Sequence, residues 1–206
     1  MAVVDFLKDR IFPYFCANCG REGEWWCEEC RGKIKPFSVS ASTIEKVTAL
    51  FSYSDNKPLE KLIREFKYDY VRDIAELWRE ILRAAQLTFV SGVVFIPVPL
   101  HDKRLRERGF NQAEVLSRIL SEIYQRPQLK NLLQRTKATS QQARMTREER
   151  LDNVAGAFAW TDSSKAPEHV VLIDDVFTTG ATMEECAKVL RHHGTQYIEA
   201  LVLAHG

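Results

Sequence analysis

Residues 170–182 constrain this chain more than any other stretch: Val170-Val171-Leu172-Ile173, then Asp174-Asp175, then Val176-Phe177-Thr178-Thr179-Gly180-Ala181-Thr182. Four apolar residues in a row, three of them β-branched, suit a central parallel strand covered on both faces. Two carboxylates therefore emerge at the carboxyl end of that strand, where open α/β sheets bind their ligands. The turn that follows opens a helix, so its backbone N–H groups and the helix dipole favour an anion. Thr178, Thr179 and Thr182 add hydroxyl donors, and Gly180 lets the backbone curl without a Cβ in the way. A single N-capping residue is the plainer reading of such a turn, but it needs only one Asp, Ser or Thr. It leaves the second carboxylate and the other threonines unexplained.

This stretch resembles the signature of type I phosphoribosyltransferases. The resemblance implies that Asp174 and Asp175 hold the ribose hydroxyls of phosphoribosyl pyrophosphate, and that Thr178, Thr179, Gly180, Ala181 and Thr182 hold its 5-phosphate.

The second strong signal lies near the start. Cys16 and Cys19 form one Cys-x2-Cys pair, Cys27 and Cys30 another, with seven residues between the pairs. That spacing lets four thiolates meet around Zn²⁺. Disulfides are the competing reading, but they require an oxidising compartment, and no export signal is visible. A module this short, over residues 10–35, draws much of its stability from the metal, which makes a structural role the expectation. Trp25 and Trp26 beside the third ligand either stack on nucleobases or cover a site that has little core of its own. The fifth cysteine, Cys186, reads as a small packed core residue in the helix after the turn.

With 206 residues, 45% hydrophobic and 28% charged, the chain has the length and composition of one α/β domain, placed at residues 45–206, plus the small module. A polar stretch with Pro36, Ser38, Ser40 and Ser42 reads as the linker between them. Helical periodicity marks Leu59, Leu62, Ile63 and Phe66, and again Ile74, Leu77, Trp78, Ile81 and Leu82. Residues 47–53, 93–99 and 197–203 read as further strands, residues 112–124 as a helix, and Gly194 as a helix stop. Strands alternating with helices predict a doubly wound parallel sheet. No stretch approaches the roughly 18 apolar residues of a membrane span, so a cytoplasmic location is expected.

The net charge is only +1, but residues 101–110 carry four bases against two acids and residues 135–150 five against two. These segments hold Lys103, Arg104, Arg106 and Arg108, then Arg135, Arg144 and Arg147. Arginine's planar fork suits phosphate oxygens, whether of pyrophosphate or of DNA. Bases interleaved with acids also simply solvate a surface.

Together the cysteine pairs, the Phe66-Lys67-Tyr68 stretch, the Pro97-Val98-Pro99-Leu100 turn, both basic segments and the terminal Asp-Asp motif resemble the ComF family of competence-related proteins, over nearly the whole chain. The resemblance implies a type I phosphoribosyltransferase-like fold with an amino-terminal zinc module, and a role in single-stranded DNA handling during natural transformation, alongside DNA-uptake or recombination proteins. It also implies Mg²⁺ bound together with phosphoribosyl pyrophosphate. Lys103, Arg104, Arg106 and Arg108 fall where such enzymes contact pyrophosphate, and Arg144 and Arg147 fall in the position of a longer loop. An active phosphoribosyltransferase acting on a nucleobase or small amine is the other reading.

Overall fold

The computed structural model describes residues 15–24, 26–53, 57–66, 72–137 and 153–206. Five strands form the main sheet in the order β1-β2-β7-β6-β3: β1 (Phe37–Val39), β2 (Lys46–Ser52), β3 (Val94–Pro97), β6 (His169–Phe177) and β7 (Tyr197–His205). All neighbouring pairs are parallel except β1, which lies antiparallel on β2. The sheet is therefore mixed, and the expectation of a purely parallel sheet is corrected at this edge. The stretch read as a linker contributes that strand, too short to show an alternating pattern.

Period-two alternation along the central strands sorts side chains to two faces. Val171 and Ile173 of β6 and Leu201 and Leu203 of β7 point to one core; Val170, Leu172, Ala200 and Val202 point to the other. Helices α2 (Lys57–Phe66), α3 (Arg72–Ala84) and α5 (Gln112–Tyr124) cover the first face. The second face is covered by α6 (Ala181–His192) and by a hairpin of β4 (Leu133–Arg135) with β5 (Phe158–Trp160). The three layers explain why the central strands read as continuous apolar runs.

Cys16, Trp26, Cys27, Cys30 and Ile34 belong to the same core as Leu50, Leu59, Ile63 and Trp78. The cysteine segment, with its short helix α1 (Glu28–Arg31), is thus seated on α3 and the sheet. Trp26 meets the Phe51 ring edge-on at 5.6 Å, and Arg31 pairs with Glu80 of α3 at 2.9 Å.

One helix has no counterpart in the periodicity. Helix α4 (Asp102–Arg108) buries none of its residues, and Leu105 is its lone apolar side chain. Its caps define it: His101 Nδ1 accepts from Lys103 N, and Gly109 closes the end at φ +80°. Helix α6 ends similarly, with Gly194 at φ +104° one residue beyond its His193 cap. No described helix is long and apolar enough to cross a membrane.

Candidate functional site

After β3 the chain runs through α4 to α5, which packs on one face of the sheet, and after β6 it enters α6, which packs on the other. The carboxyl ends of β3 and β6 therefore part around a crevice, the place where open α/β sheets take ligands. A cleft of about 410 Å³ opens there, and its walls include Val98, Pro99 and Leu100 after β3 and residues 174–183 of β6 and α6.

Asp174 and Asp175 sit half-buried in the last part of β6, where Asp174 pairs with Val202 of β7. The Asp175 backbone N–H donates to Asp174 Oδ1 at 2.9 Å, which fixes one carboxylate against the strand. Two residues on, Phe177 places its ring beneath the turn and its carbonyl accepts from Gly206 N at 3.0 Å. Gly180 is required there for two reasons. Its φ is +78°, and a Cβ would lie 2.5 Å from Phe177 Cζ. Thr179 Oγ1 faces the Ala181 amide at 3.5 Å, and Glu184 N closes the first helical turn on Gly180 O at 2.9 Å.

Helix α6 carries an acid in its first turn, which ordinarily fills the dipole's positive end. Glu184 instead turns away to bind the 42–43 backbone: Ser42 N donates to it at 2.5 Å and Thr43 N at 2.9 Å. The amino end of the helix is thereby left facing the cleft with Thr178, Thr179 and Thr182 around it.

Across the cleft stand arginines. Arg104 and Arg108 of α4 line it, while Lys103 and Arg106 on the same helix are exposed and point elsewhere. Arg108 donates to Gln112 Oε1 at 3.2 Å, and Gln112 is itself buried and donates to Phe66 O at 3.3 Å. Asn111 caps α5 through Ala113 N and donates to Val98 O at 3.0 Å, pinning the turn after β3. Arg144 and Arg147 lie outside the described residues, as do Trp25 and Lys67.

Arg135 is the residue that sequence reasoning singled out least. It appeared only as the first base of the second segment, yet it is buried on β4, lies 5.3 Å over the Phe158 ring, and lines the cleft. Burial lowers its pKa, as does repulsion from Arg104, while Cys186 and Asp174 act in the opposite sense. Burial alternates along β4, Leu133 in, Gln134 out, Arg135 in, but three residues are too few for the sequence to announce that period. The cleft thus joins two acids, a threonine- and glycine-bearing turn at a helix amino end, and three arginines.

At the other end of the chain, the sulfurs of Cys16, Cys19, Cys27 and Cys30 all lie within 4.8 Å of one another. A tetrahedral zinc site with Zn–S of about 2.3 Å needs sulfurs roughly 3.8 Å apart, so the four can hold a metal such as zinc. The Cys19 and Cys27 sulfurs are 3.5 Å apart, well beyond the roughly 2.05 Å of a disulfide, and all five cysteines are free thiols in this structure. Burial raises the Cys16 thiol, but backbone donors at Cys27, Cys19 and Asn18 outweigh it and hold its pKa at about 6. Burial pushes Cys30 up to about 12, opposed by the Asn18 amide and reinforced by the neighbouring sulfurs. Crowded thiols that resist joint ionisation are what a divalent cation relieves. Trp26 is 1% exposed beside them, so it covers the site and has no free face for a base. Cys186 is fully buried, and burial drives its pKa well above the usual thiol value.

No family model matches the chain. Among characterised proteins, it is 34% identical to competence protein F of Haemophilus influenzae over 205 residues, covering 95% of this chain and 86% of that protein. It is 28% identical to DNA utilization protein YhgH of Escherichia coli (strain K12) over 203 residues, 94% of this chain and 85% of that protein. It is 27% identical to competence protein ComFC of Bacillus subtilis (strain 168) over 195 residues, 90% and 75% respectively. With a relative this similar along nearly its whole length, and the cysteine cluster and mostly parallel sheet that the motifs lead one to expect, the chain belongs to the ComF family.

Proposed function

We propose that this protein has a phosphoribosyltransferase-like fold, binds phosphoribosyl pyrophosphate or a related ribose phosphate, and acts in the handling of single-stranded DNA during DNA uptake in the cytoplasm. The observation that carries the ligand is the meeting, in one cleft, of Asp174 and Asp175 with the 178–182 turn and with Arg104, Arg108 and Arg135. The DNA role draws support from relatives named for competence and DNA utilization.

Each part of such a ligand has a counterpart. The two carboxylates accept from vicinal ribose hydroxyls, and the backbone N–H groups and threonine hydroxyls of the turn donate to a 5-phosphate. The arginines donate to pyrophosphate oxygens from the opposite wall. Asp174 and Asp175 also offer the oxygen ligands that Mg²⁺ prefers, and the ion would supply neutralising charge to the pyrophosphate when bound with it. Zinc is the proposed occupant of the four-cysteine cluster, in a structural role.

The test is a calorimetric titration with phosphoribosyl pyrophosphate in the presence of Mg²⁺, on the wild type and on the paired substitution Asp174→Asn with Asp175→Asn. Binding is expected in the first and loss of at least about a hundredfold in the second, with an unchanged ligand-free melting temperature. Equal binding by both proteins would remove the assignment of the acids.

A second reading, transfer to a nucleobase or small amine, is favoured by a further cleft of about 550 Å³ that shares Pro99, Leu100, Asn111 and Arg135 with the first. It offers room for an acceptor. In such a transfer the C1–oxygen bond to pyrophosphate breaks and a C1–nitrogen bond forms, with no side-chain nucleophile needed. Pyrophosphate release with one of the common bases or amines is the expected result; silence with all of them would leave binding alone.

A further inference from the structure

Alternation predicts apolar side chains on the inward face of β7, and Leu201 and Leu203 comply. Glu199, on the same face and between Ala200 and the first strand residues, does not. It is 6% exposed on a central strand, paired across to Lys46 of β2 and Val171 of β6. A buried carboxylate without a close cation is costly, and such positions survive where function requires them. Burial raises the Glu199 pKa; Lys46 and a hydrogen bond with Tyr197 oppose this without cancelling it. Lys46 exerts its charge from a distance, since among the described residues it forms no ion pair with Glu199.

Glu199 does not face a packed core. It lines a cleft of about 320 Å³ bounded by β1, β2, β7 and the chain after α3, with Lys46, Thr48, Gln86 and Leu87 among its walls. This cleft shares no lining residue with the one around Asp174. Glu199 also precedes His205 by six residues on the same strand, roughly 20 Å at the rise of extended chain.

We propose that this second cleft is a ligand site for a small zwitterion of the α-amino acid class, its ammonium held by Glu199 and its carboxylate by Lys46. The charges select the class. A simple cation satisfies Glu199 but meets repulsion from Lys46, and a simple anion suffers the reverse. A molecule with both charges brings a close opposite charge to each, beside the hydrogen bond that Glu199 already has with Tyr197. Thr48 and Gln86 add hydrogen-bonding groups at the wall, and Leu87 adds apolar surface for a side chain. The site is independent of the ribose-phosphate reading.

The experiment is a thermal-shift and calorimetric screen of the full chain, zinc present, against the twenty amino acids at millimolar concentration, with agmatine, a dication, and acetate, an anion, as probes that carry charge of one sign only. At least one amino acid is expected to raise the melting temperature, with agmatine and acetate binding at least tenfold more weakly. Glu199→Gln is expected to abolish that shift while leaving the ligand-free protein as stable or more so, because the uncompensated buried charge is gone. Lys46→Gln, at an exposed position safe for folding, should weaken the amino acid at least fivefold and leave agmatine unaffected or improved. Absence of any shift across the screen, an undiminished shift in Glu199→Gln, or equal binding of agmatine and the amino acid would each overturn the proposal. Phosphoribosyl pyrophosphate binding should be unchanged in both variants, so failure here is separable from failure at the other cleft.

Discussion

Two glutamates show how the same side chain acquires opposite character from its surroundings. Burial raises Glu199, whereas at Glu184 the Thr43 hydroxyl and the Ser42 and Thr43 amides overcome burial and hold the carboxyl below its ordinary value of 4.5. A depressed folded pKa stabilises the protein above the unfolded value, and that contribution disappears as pH falls through the folded value. Glu184→Gln is therefore expected to cost about 1–2 kcal/mol at pH 7, by analogy with other charge-assisted hydrogen bonds. The gap between variant and wild type should close as the pH is taken from about 5 to about 3, read by denaturant midpoints. A gap independent of pH would show that the carboxylate's charge is irrelevant. Gly180 is a second residue whose identity is dictated locally. Gly180→Ala must accommodate φ +78° and a Cβ 2.5 Å from Phe177 Cζ, so a loss of at least about 1–2 kcal/mol is expected in urea unfolding. The need for glycine at 180 is legible in the sequence because a tight strand-to-helix turn demands it. The Phe177 ring that enforces it is not, because nothing local to the chain says where that ring will lie.

Among elements, length decides what can be read. Helices α2, α3 and α5 carry ten to thirteen residues, enough turns for apolar spacing to declare itself. Strands β1, β4 and β5 have three residues each and cannot show a period. Helix α4 has seven, a single apolar residue among them, and forms through its caps. Arg135 was obscured for the same reason, as one base in a stretch too brief to reveal its inward side. The cysteine segment poses the reverse case: its ligands are evident from spacing alone, but its packing against α3 and β2 is not. Since Cys16, Cys27, Cys30 and Trp26 are part of the main core, metal removal should propagate. Treatment with a strong chelator, or Cys27→Ser, is expected to lower the melting temperature by roughly 5–10 °C and to shift tryptophan emission as Trp26 loses its cover. A local change in residues 15–34 with the melting temperature intact would show that the segment is energetically separate.

For the whole molecule, the distribution of charge matters more than its sum. The two basic segments hold +5 and the rest of the chain −4, giving the net +1. If single-stranded DNA lies along Lys103, Arg106 and the bases beyond β4, contact with about four phosphates predicts a log–log salt slope near −3, or roughly a fiftyfold loss between about 50 and 200 mM salt. Fluorescence anisotropy with a labelled oligonucleotide measures it, and a flat response would eliminate electrostatic DNA binding. Lys103→Ala with Arg106→Ala should reduce that slope by about 1–2 and spare phosphoribosyl pyrophosphate, because neither side chain lines the cleft.

Sequence alone determined the local chemistry: that the apolar run 170–173 lies in the central strand, that two acids and a glycine-bearing turn come after that run, and that four cysteines share ligand spacing, although β6 itself continues through both acids to Phe177. These follow from covalent order and short-range sterics, which act between neighbours along the chain. Tertiary structure alone decided which arginines meet the acids, that Trp26 is closed to stacking, that Glu199 faces a cleft, and that the cysteine segment shares the main core. Those outcomes depend on contacts between residues tens of positions apart, and such contacts exist only once the layers have packed.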